Sequence, residues 1–168
     1  NAGDFSCGRA AIFVQGRWGF IDTAGTVVIK PAFLKVNAFA ENRAAVRIGD
    51  KWGFIDPAGE VAVPLVYDKV TDFKDGRAAV FVSGLGWGFV NQSGTRVIAC
   101  EYDAVGFRQE GIISVQKGTK WGLINTFGAV MTPCKYDYIG NFQQGLASAM
   151  MRRSIGVVDG NGKVLLDP

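Results

Sequence analysis

The stretch KWGFID, residues 51–56, decides how this chain is read, because it returns as RWGFID from Arg17 and as GWGFVN from Gly86. The WG pair begins at Trp18, Trp52, Trp87 and Trp121, at spacings of 34, 35 and 34 residues, and SIGVVD places Ile155 a further 34 on. Self-similarity at a fixed period of this size is the mark of a repeat architecture. Five units follow, with WG strands at 17–22, 51–56, 86–91, 120–125 and 154–159. Upstream of each stands an aromatic residue, Phe5, Phe39, Phe73, Phe107 or Phe142, leading into strand-like runs such as GRAAIFV and NRAAVRI. Downstream comes a fixed turn, DTAG, DPAG, NQSG, NTFG or DGNG. Asp or Asn opening a type I turn, with glycine closing it in the left-handed region, is the chemistry of a short hairpin loop with a bulge.

A third run leaves each turn (TVVIK, EVAVP, TRVIA, AVMTP, KVLLD), and a fourth begins near Phe33, Tyr67, Tyr102 and Tyr136. Each run is about five residues long, the usual length of a strand, and no segment sustains a helical period. The reading is an all-β fold of five short antiparallel units of about 34 residues, forming one domain over residues 1–168.

Taken in succession, KWGFID, DPAG, VPLVYD and FKDGRAAV resemble the WG-containing β repeat family, over the whole chain. Departures are Ile155 in place of tryptophan, Leu123 in place of phenylalanine, and an extra residue near Gln109. The resemblance implies a bacterial protein, often an exported one, and on that ground export is favoured over the cytoplasm; it implies no particular activity. Two architectures could stack such units, a closed five-bladed β-propeller-like ring and an open superhelical array. The phase of the chain favours the ring: it begins just past the YD position and stops at Pro168, in the register of Pro31.

Side chains alternate along a strand, so Trp52 and Phe54 share one face while Gly53 and Ile55 share the other. Both faces are apolar. The tryptophans are therefore expected to be core residues, buried against the small Ala44, Ala45, Ala78 and Ala79 of adjoining units. Cys100 and Cys134 occupy the same register in successive units. A disulfide between them would favour the tight stack over the ring; the plainer expectation is two small buried side chains.

Composition excludes much. There is no histidine, which removes Ser/His and Cys/His nucleophilic arrangements, the common zinc sites and the usual general base. No apolar run is long enough to span a membrane as a helix. The acids lack the spacing of a calcium loop, and SGLGWG lacks the lysine and following helix of a phosphate loop. Asp22, Asp56 and Asp159 are read as turn residues, and Arg9–Asp22 and Arg43–Asp56, equidistant from their turns, as cross-hairpin ion pairs. A net charge of +3 is too small to imply nucleic acid. No cofactor or metal is expected, and no enzymatic activity.

The charges are nonetheless sorted. The edge carrying the turns before each WG strand holds nine bases against three acids, or +6, while the opposite edge holds seven bases against nine acids, Glu110 included, or −2. Two bases against three acids at the starts of the fourth strands give −1, which restores the total of +3. A basic rim attracts acidic partners by steering and rim pairing. The expected function is a non-enzymatic repeat scaffold that grips an acidic protein or peptide with Arg17, Lys51, Lys120, Arg152 and Arg153, helped by the non-repeated aromatics Phe127 and Tyr138. The alternative is a carbohydrate-binding module with shallow sites between units, built on exposed aromatic rings.

Overall fold

The computed structural model describes residues 3–109 and 111–168, except for the side chain of Phe107; Glu110 and that phenyl ring lie outside the described residues. The described residues form nineteen strands and no helix, in five sheets. The first sheet pairs β1 (Ala10–Val14), β2 (Arg17–Ile21) and β3 (Val27–Phe33). The second runs β4 (Lys35–Val36), β5 (Ala44–Ile48), β6 (Lys51–Ile55) and β7 (Val61–Tyr67). The third comprises β8 (Lys69–Val70), β9 (Arg77–Val82), β10 (Gly86–Asn91) and β11 (Arg96–Tyr102), and the fourth β12 (Ala104–Gln109), β13 (Ile112–Lys117), β14 (Lys120–Asn125) and β15 (Val130–Tyr136). The fifth holds β16 (Tyr138–Ile139), β17 (Leu146–Met151), β18 (Ser154–Asp159) and β19 (Val164–Leu166). Two compact units result: Asn1–Gly84 with Gly88–Arg96, and Leu85–Trp87 with Val97–Pro168.

Each four-stranded sheet thus opens with the fourth strand of the preceding repeat. The tyrosine expected to begin that strand closes the third one instead, so Tyr67 and Tyr136 end seven-residue strands. Most fourth strands are two residues long; β12 runs to six, and the extra residue expected near Gln109 shows as a register shift between Val105 and Arg108.

Turn chemistry follows the sequence closely. In the turn after β6, Asp56 Oδ1 accepts the N–H groups of Ala58 and Glu60 at 2.9 and 3.0 Å, and Gly59 closes with φ 89°. Asp22, Asn91, Asn125 and Asp159 do the same in their own units. That duty also explains why the expected ion pairs do not form. Arg9 faces Asp22 across the hairpin, beside Ala10↔Ile21, but the carboxylate is already occupied by turn amides. The guanidinium donates instead to the carbonyl of Pro57 at 3.3 and 3.2 Å, and Arg43 likewise to Gln92 at 3.0 Å. These arginines tie one sheet to the turn of the next.

The WG pair works differently from expectation. Phe20, Phe54 and Phe89 are at most 1% exposed, whereas Trp18, Trp52, Trp87 and Trp121 are only half-buried. Trp52 lies one residue from the start of its strand, opposite Arg47 and Tyr67, where the sheet edge leaves one side of the indole uncovered. The interlock between repeats is made by phenylalanines. Phe39 packs edge-on against Phe20 at 4.9 Å, and Phe73 against Phe54 at 4.8 Å, a geometry worth about 0.5–1.5 kcal/mol beyond area burial. Glycine is required for another reason. The third strand crosses over it with a register shift between Trp52 and Phe54, and a Cβ at Gly53 would lie 2.5 Å from the Val63 carbonyl oxygen. Gly19, Gly122 and Gly156 meet the same backbone at 2.4, 2.6 and 2.3 Å.

Within the first unit the core gathers Phe20, Ile29, Phe33, Phe39, Ala44, Val46 and Ile55, with Trp18 packed on its margin. Within the second, Ile112, Leu123, Tyr136, Ile139, Phe142, Ala147, Ala149 and Val158 form the equivalent cluster, with Trp121 on its margin. Cys7, Cys100 and Cys134 form no disulfide among the described residues. Cys134 Sγ lies 3.7 Å from the Val115 carbonyl oxygen, and burial pushes its pKa up.

Candidate functional site

The aspartate of the YD pair sits at the corner between the third and fourth strands, where it can reach two chain segments at once. Asp137 Oδ1 receives the Lys120 ammonium and its Oδ2 the backbone N–H of Arg152, at 2.8 Å for the latter. Asp68 repeats the device in the first unit with Lys51 Nζ at 2.5 Å and Ser83 N at 2.7 Å. Asp103, which has glycine in place of the lysine, accepts the turn amide, Gly118 N at 2.6 Å, and has no ion pair among the described residues. The hydrogen bond from Lys51, then that from Ser83 N–H, brings the Asp68 pKa down to about 2. Lys120, followed by Arg152 N–H, lowers that of Asp137. Lys117 is raised by its partner Glu101, at 2.9 Å.

This arrangement brings together four of the residues expected to bind a partner. Asp137 joins Lys120 to the β17–β18 hairpin tip, Arg153 follows Arg152, and Tyr138 follows Asp137. The hairpin loop has two residues, and both are left-handed: φ is 50° at Arg152 and 75° at Arg153. In the first repeat the same places are taken by Gln15 at 49° and Gly16 at 80°. Arg153 therefore stands in a glycine slot. Neither guanidinium makes an ion pair among the described residues, and both arginines are exposed.

Other expected site residues fall elsewhere. Phe127, 77% exposed, lies in the turn after β14, at the opposite end of that strand from Lys120; the five residue steps from Lys120 to Asn125 alone span about 17 Å. Arg17 is exposed at the start of β2, and Lys51 is ion-paired at the start of β6; both belong to the first unit. Lys51, Lys117, Lys120 and Arg47 are ion-paired to acids, whereas Arg17, Arg152 and Arg153 make no ion pair among the described residues. The ion pairs share a 17-residue spacing, Lys51 to Asp68 and Lys120 to Asp137, which the repeat period alone does not single out.

A groove opens beside this edge in the second unit. Gly106, Ser114, Trp121, Tyr138, Ile139 and Asn141 line a space of about 200 Å³. It adjoins one of about 430 Å³ lined by Tyr138, Gly140, Asn141, Gln143, Leu146 and Ser148. Its origin is a paired change in the repeat. Where the first unit has Asn37 opposite Ala45 and Thr71 opposite Ala79, the second has Gly106 with Ser114 and Gly140 with Ser148. Asn37 spends its amide on Asp72 Oδ1 at 2.7 Å, and Thr71 Oγ1 accepts Ala79 N–H at 3.0 Å. At Gly106 the serine hydroxyl and the indole close in on the backbone: a Cβ there would stand 2.4 Å from Ser114 Oγ and 3.1 Å from Trp121 Cζ3. No cluster of three metal-ligating side chains occurs among the described residues.

Comparison with known proteins places the repeat. The profile of the WG containing repeat matches four times, over residues 18–52, 52–85, 87–121 and 121–152. Among solved structures the chain is similar to Kluyveromyces lactis Hsv2, with 8% identity and a TM-score of 0.51 over 94% of this chain and 59% of that one. The computationally designed Ika4 protein is similar at 13% identity, with a TM-score of 0.46 over 76% of this chain and 91% of that one. The WD40 beta propeller domain of Doa1 is similar at 13% identity, with a TM-score of 0.43 over 98% of this chain and 66% of that one. At such identities the likeness to Hsv2 concerns fold alone. No protein of curated function matches the chain.

Proposed function

The chain belongs to the family of WG containing repeats, and from that premise we propose that it is a non-enzymatic scaffold binding an acidic protein or peptide along the edge that carries Arg152 and Arg153. The supporting observation is the backbone of those two residues. A two-residue hairpin loop with both φ angles positive strongly prefers Asn-Gly, and a non-glycine residue held there costs on the order of 1–3 kcal/mol. Two exposed guanidiniums at such a tip sacrifice stability for presentation. Arginine is the residue for this task, since its planar fork engages a carboxylate through two hydrogen bonds. Asp137 fixes the tip by holding Arg152 N–H, so less order is lost on binding.

The test is affinity capture from the source cells with the parent protein and with an Arg152→Asn/Arg153→Gly variant. The variant relieves the strain while leaving Lys120 and Asp137 paired, so its melting temperature should rise. Parent protein should recover an acidic partner whose yield falls with added salt, and the variant should lose it. Equal recovery by both would defeat the proposal.

The proposed frame is a closed ring of five blades. Its support is one junction that recurs four times: Gly59 against Ile29, Gly94 against Ala62, Gly128 against Ile98 and Gly162 against Met131. Phe5 has the repeat position of Phe39 and Phe73, and is 52% exposed where they are 2% and 3%. Closure would cover it. Hydroxyl-radical footprinting that marks Phe5 as weakly as Phe39 supports the ring; marking at the level of a free side chain returns the open array.

A further inference from the structure

We propose that the groove beside Trp121 binds a neutral pyranose ring. Both ingredients of sugar recognition meet there. The indole of Trp121 and the phenol of Tyr138, 54% exposed, offer aromatic surface for the C–H face of a sugar, which is amphipathic in the same way as the rings themselves. Around them stand the exposed Asn141, Gln143 and Ser148, with the buried Ser114 at the floor. Each hydroxyl or amide both donates and accepts, which matches ring hydroxyls that also do both.

Charge narrows the class. Among the described residues no ionised side chain lines either space, and the nearest cation in sequence, Lys120 beside Trp121, is held by Asp137. A nucleotide stacked on Trp121 would find no unpaired cation in the groove for its phosphate. A neutral ring leaves no charge unanswered. The two adjoining spaces, about 200 and 430 Å³, together fall within the range of about 300–1,000 Å³ typical of small-molecule sites, enough to extend past a single ring.

In the first unit the place of Gly106 is held by Asn37, whose side-chain amide is hydrogen-bonded to Asp72. That contrast supplies the test. A Gly106→Asn/Ser114→Ala variant restores the Asn37–Ala45 combination and fills the groove with residues this frame already accommodates.

The experiment titrates isotopically labelled protein with cello-, manno-, chito- and malto-oligosaccharides and with adenosine monophosphate, following the Trp121 indole resonance. At least one neutral oligosaccharide should shift it saturably, and the double variant should weaken that binding by about tenfold or more while keeping its thermal transition. Should the double variant fail to fold, Asn141→Ala, which removes an amide without filling space, must weaken binding as well. Silence across the whole panel, a response to the nucleotide alone, or undiminished affinity in the substituted protein overturns the assignment. Arg152→Asn/Arg153→Gly should leave sugar binding intact, so this site stands or falls separately from the partner-binding edge.

Discussion

Substituting Gly53 by alanine tests why the repeat carries glycine after tryptophan. The added Cβ would lie 2.5 Å from Val63 O and 2.8 Å from both Leu65 N and the Pro64 carbonyl carbon, all of them backbone atoms. Ordinary contact begins at 3.4 Å, so β7 must retreat by the difference, 3.4 less 2.5, or about 0.9 Å. It must do so while paired to β6 through Trp52↔Tyr67 and Phe54↔Val63. Overpacking of this kind costs about 1–3 kcal/mol, and each ladder hydrogen bond weakened adds up to about 1 kcal/mol. Against this stands about 0.5–1 kcal/mol gained by removing glycine's freedom in the unfolded chain. The net is a loss of about 2 kcal/mol, or about 4–8 °C for a chain of this size. Gly160→Ala is the control: its nearest neighbours stand at 3.8 Å, so only the entropic gain applies. Urea unfolding followed by circular dichroism, with calorimetry alongside, measures both. If Gly53→Ala lies within about 0.5 kcal/mol of the parent, or matches Gly160→Ala, close strand crossing is not the reason for the motif.

Two further outcomes follow from the same coordinates. Asp68 and Asp137 have folded pKa values below the ordinary 3.8, about 2 for Asp68; the stability they add is complete above the unfolded value and lost as pH falls through the folded one. An Asp68→Asn/Asp137→Asn protein should therefore show a flatter decline in melting temperature between about pH 4 and pH 2 than the parent, and identical slopes would contradict the ion-pair reading. Tyr136 is fully buried and its hydroxyl has no hydrogen-bond partner among the described residues, while Phe33 fills the same repeat position; Tyr136→Phe should stabilise by about 1 kcal/mol, and a loss of that size in chemical denaturation would show the hydroxyl to be bonded.

Spacing and turn chemistry made the frame legible: the repeat period, the Asx turns closed by glycine and the extra residue of β12 are all local, and local rules governed them. What the chain pattern hid is tertiary. Period-two alternation says that Trp52 and Phe54 share a face, but not that Phe54 sits mid-strand under Phe73 while Trp52 sits at the margin; burial depends on position along the strand as well as on face. Arg9 and Asp22 were correctly placed opposite each other, yet competition decided the outcome, since amides two and four residues beyond the aspartate were nearer. Of the site, the arginines at the hairpin tip were visible as charges, whereas their left-handed backbone was not. The groove had a signal that went unread: glycine replaces Asn or Thr in the same two repeats where serine replaces alanine.

That last pattern bears on how a repeat frame acquires function. Stacked sheets must keep equal spacing, so positions that set the spacing, such as Gly53 under β7 or Phe73 on Phe54, cannot change without displacing a neighbour. Positions that merely fill the junction can. Gly106 takes the place of Asn37 beside the half-buried Trp121, and Ser114, only 2% exposed, takes the place of alanine against that glycine. Because its place is half-buried in every repeat, the tryptophan can serve the frame with one side and, at the proposed sugar site, offer the other to a ligand. Specificity in such a chain should therefore concentrate where the repeat departs from itself: at Gly106 with Ser114, at Gly140 with Ser148, and at Arg152 with Arg153, all within one unit.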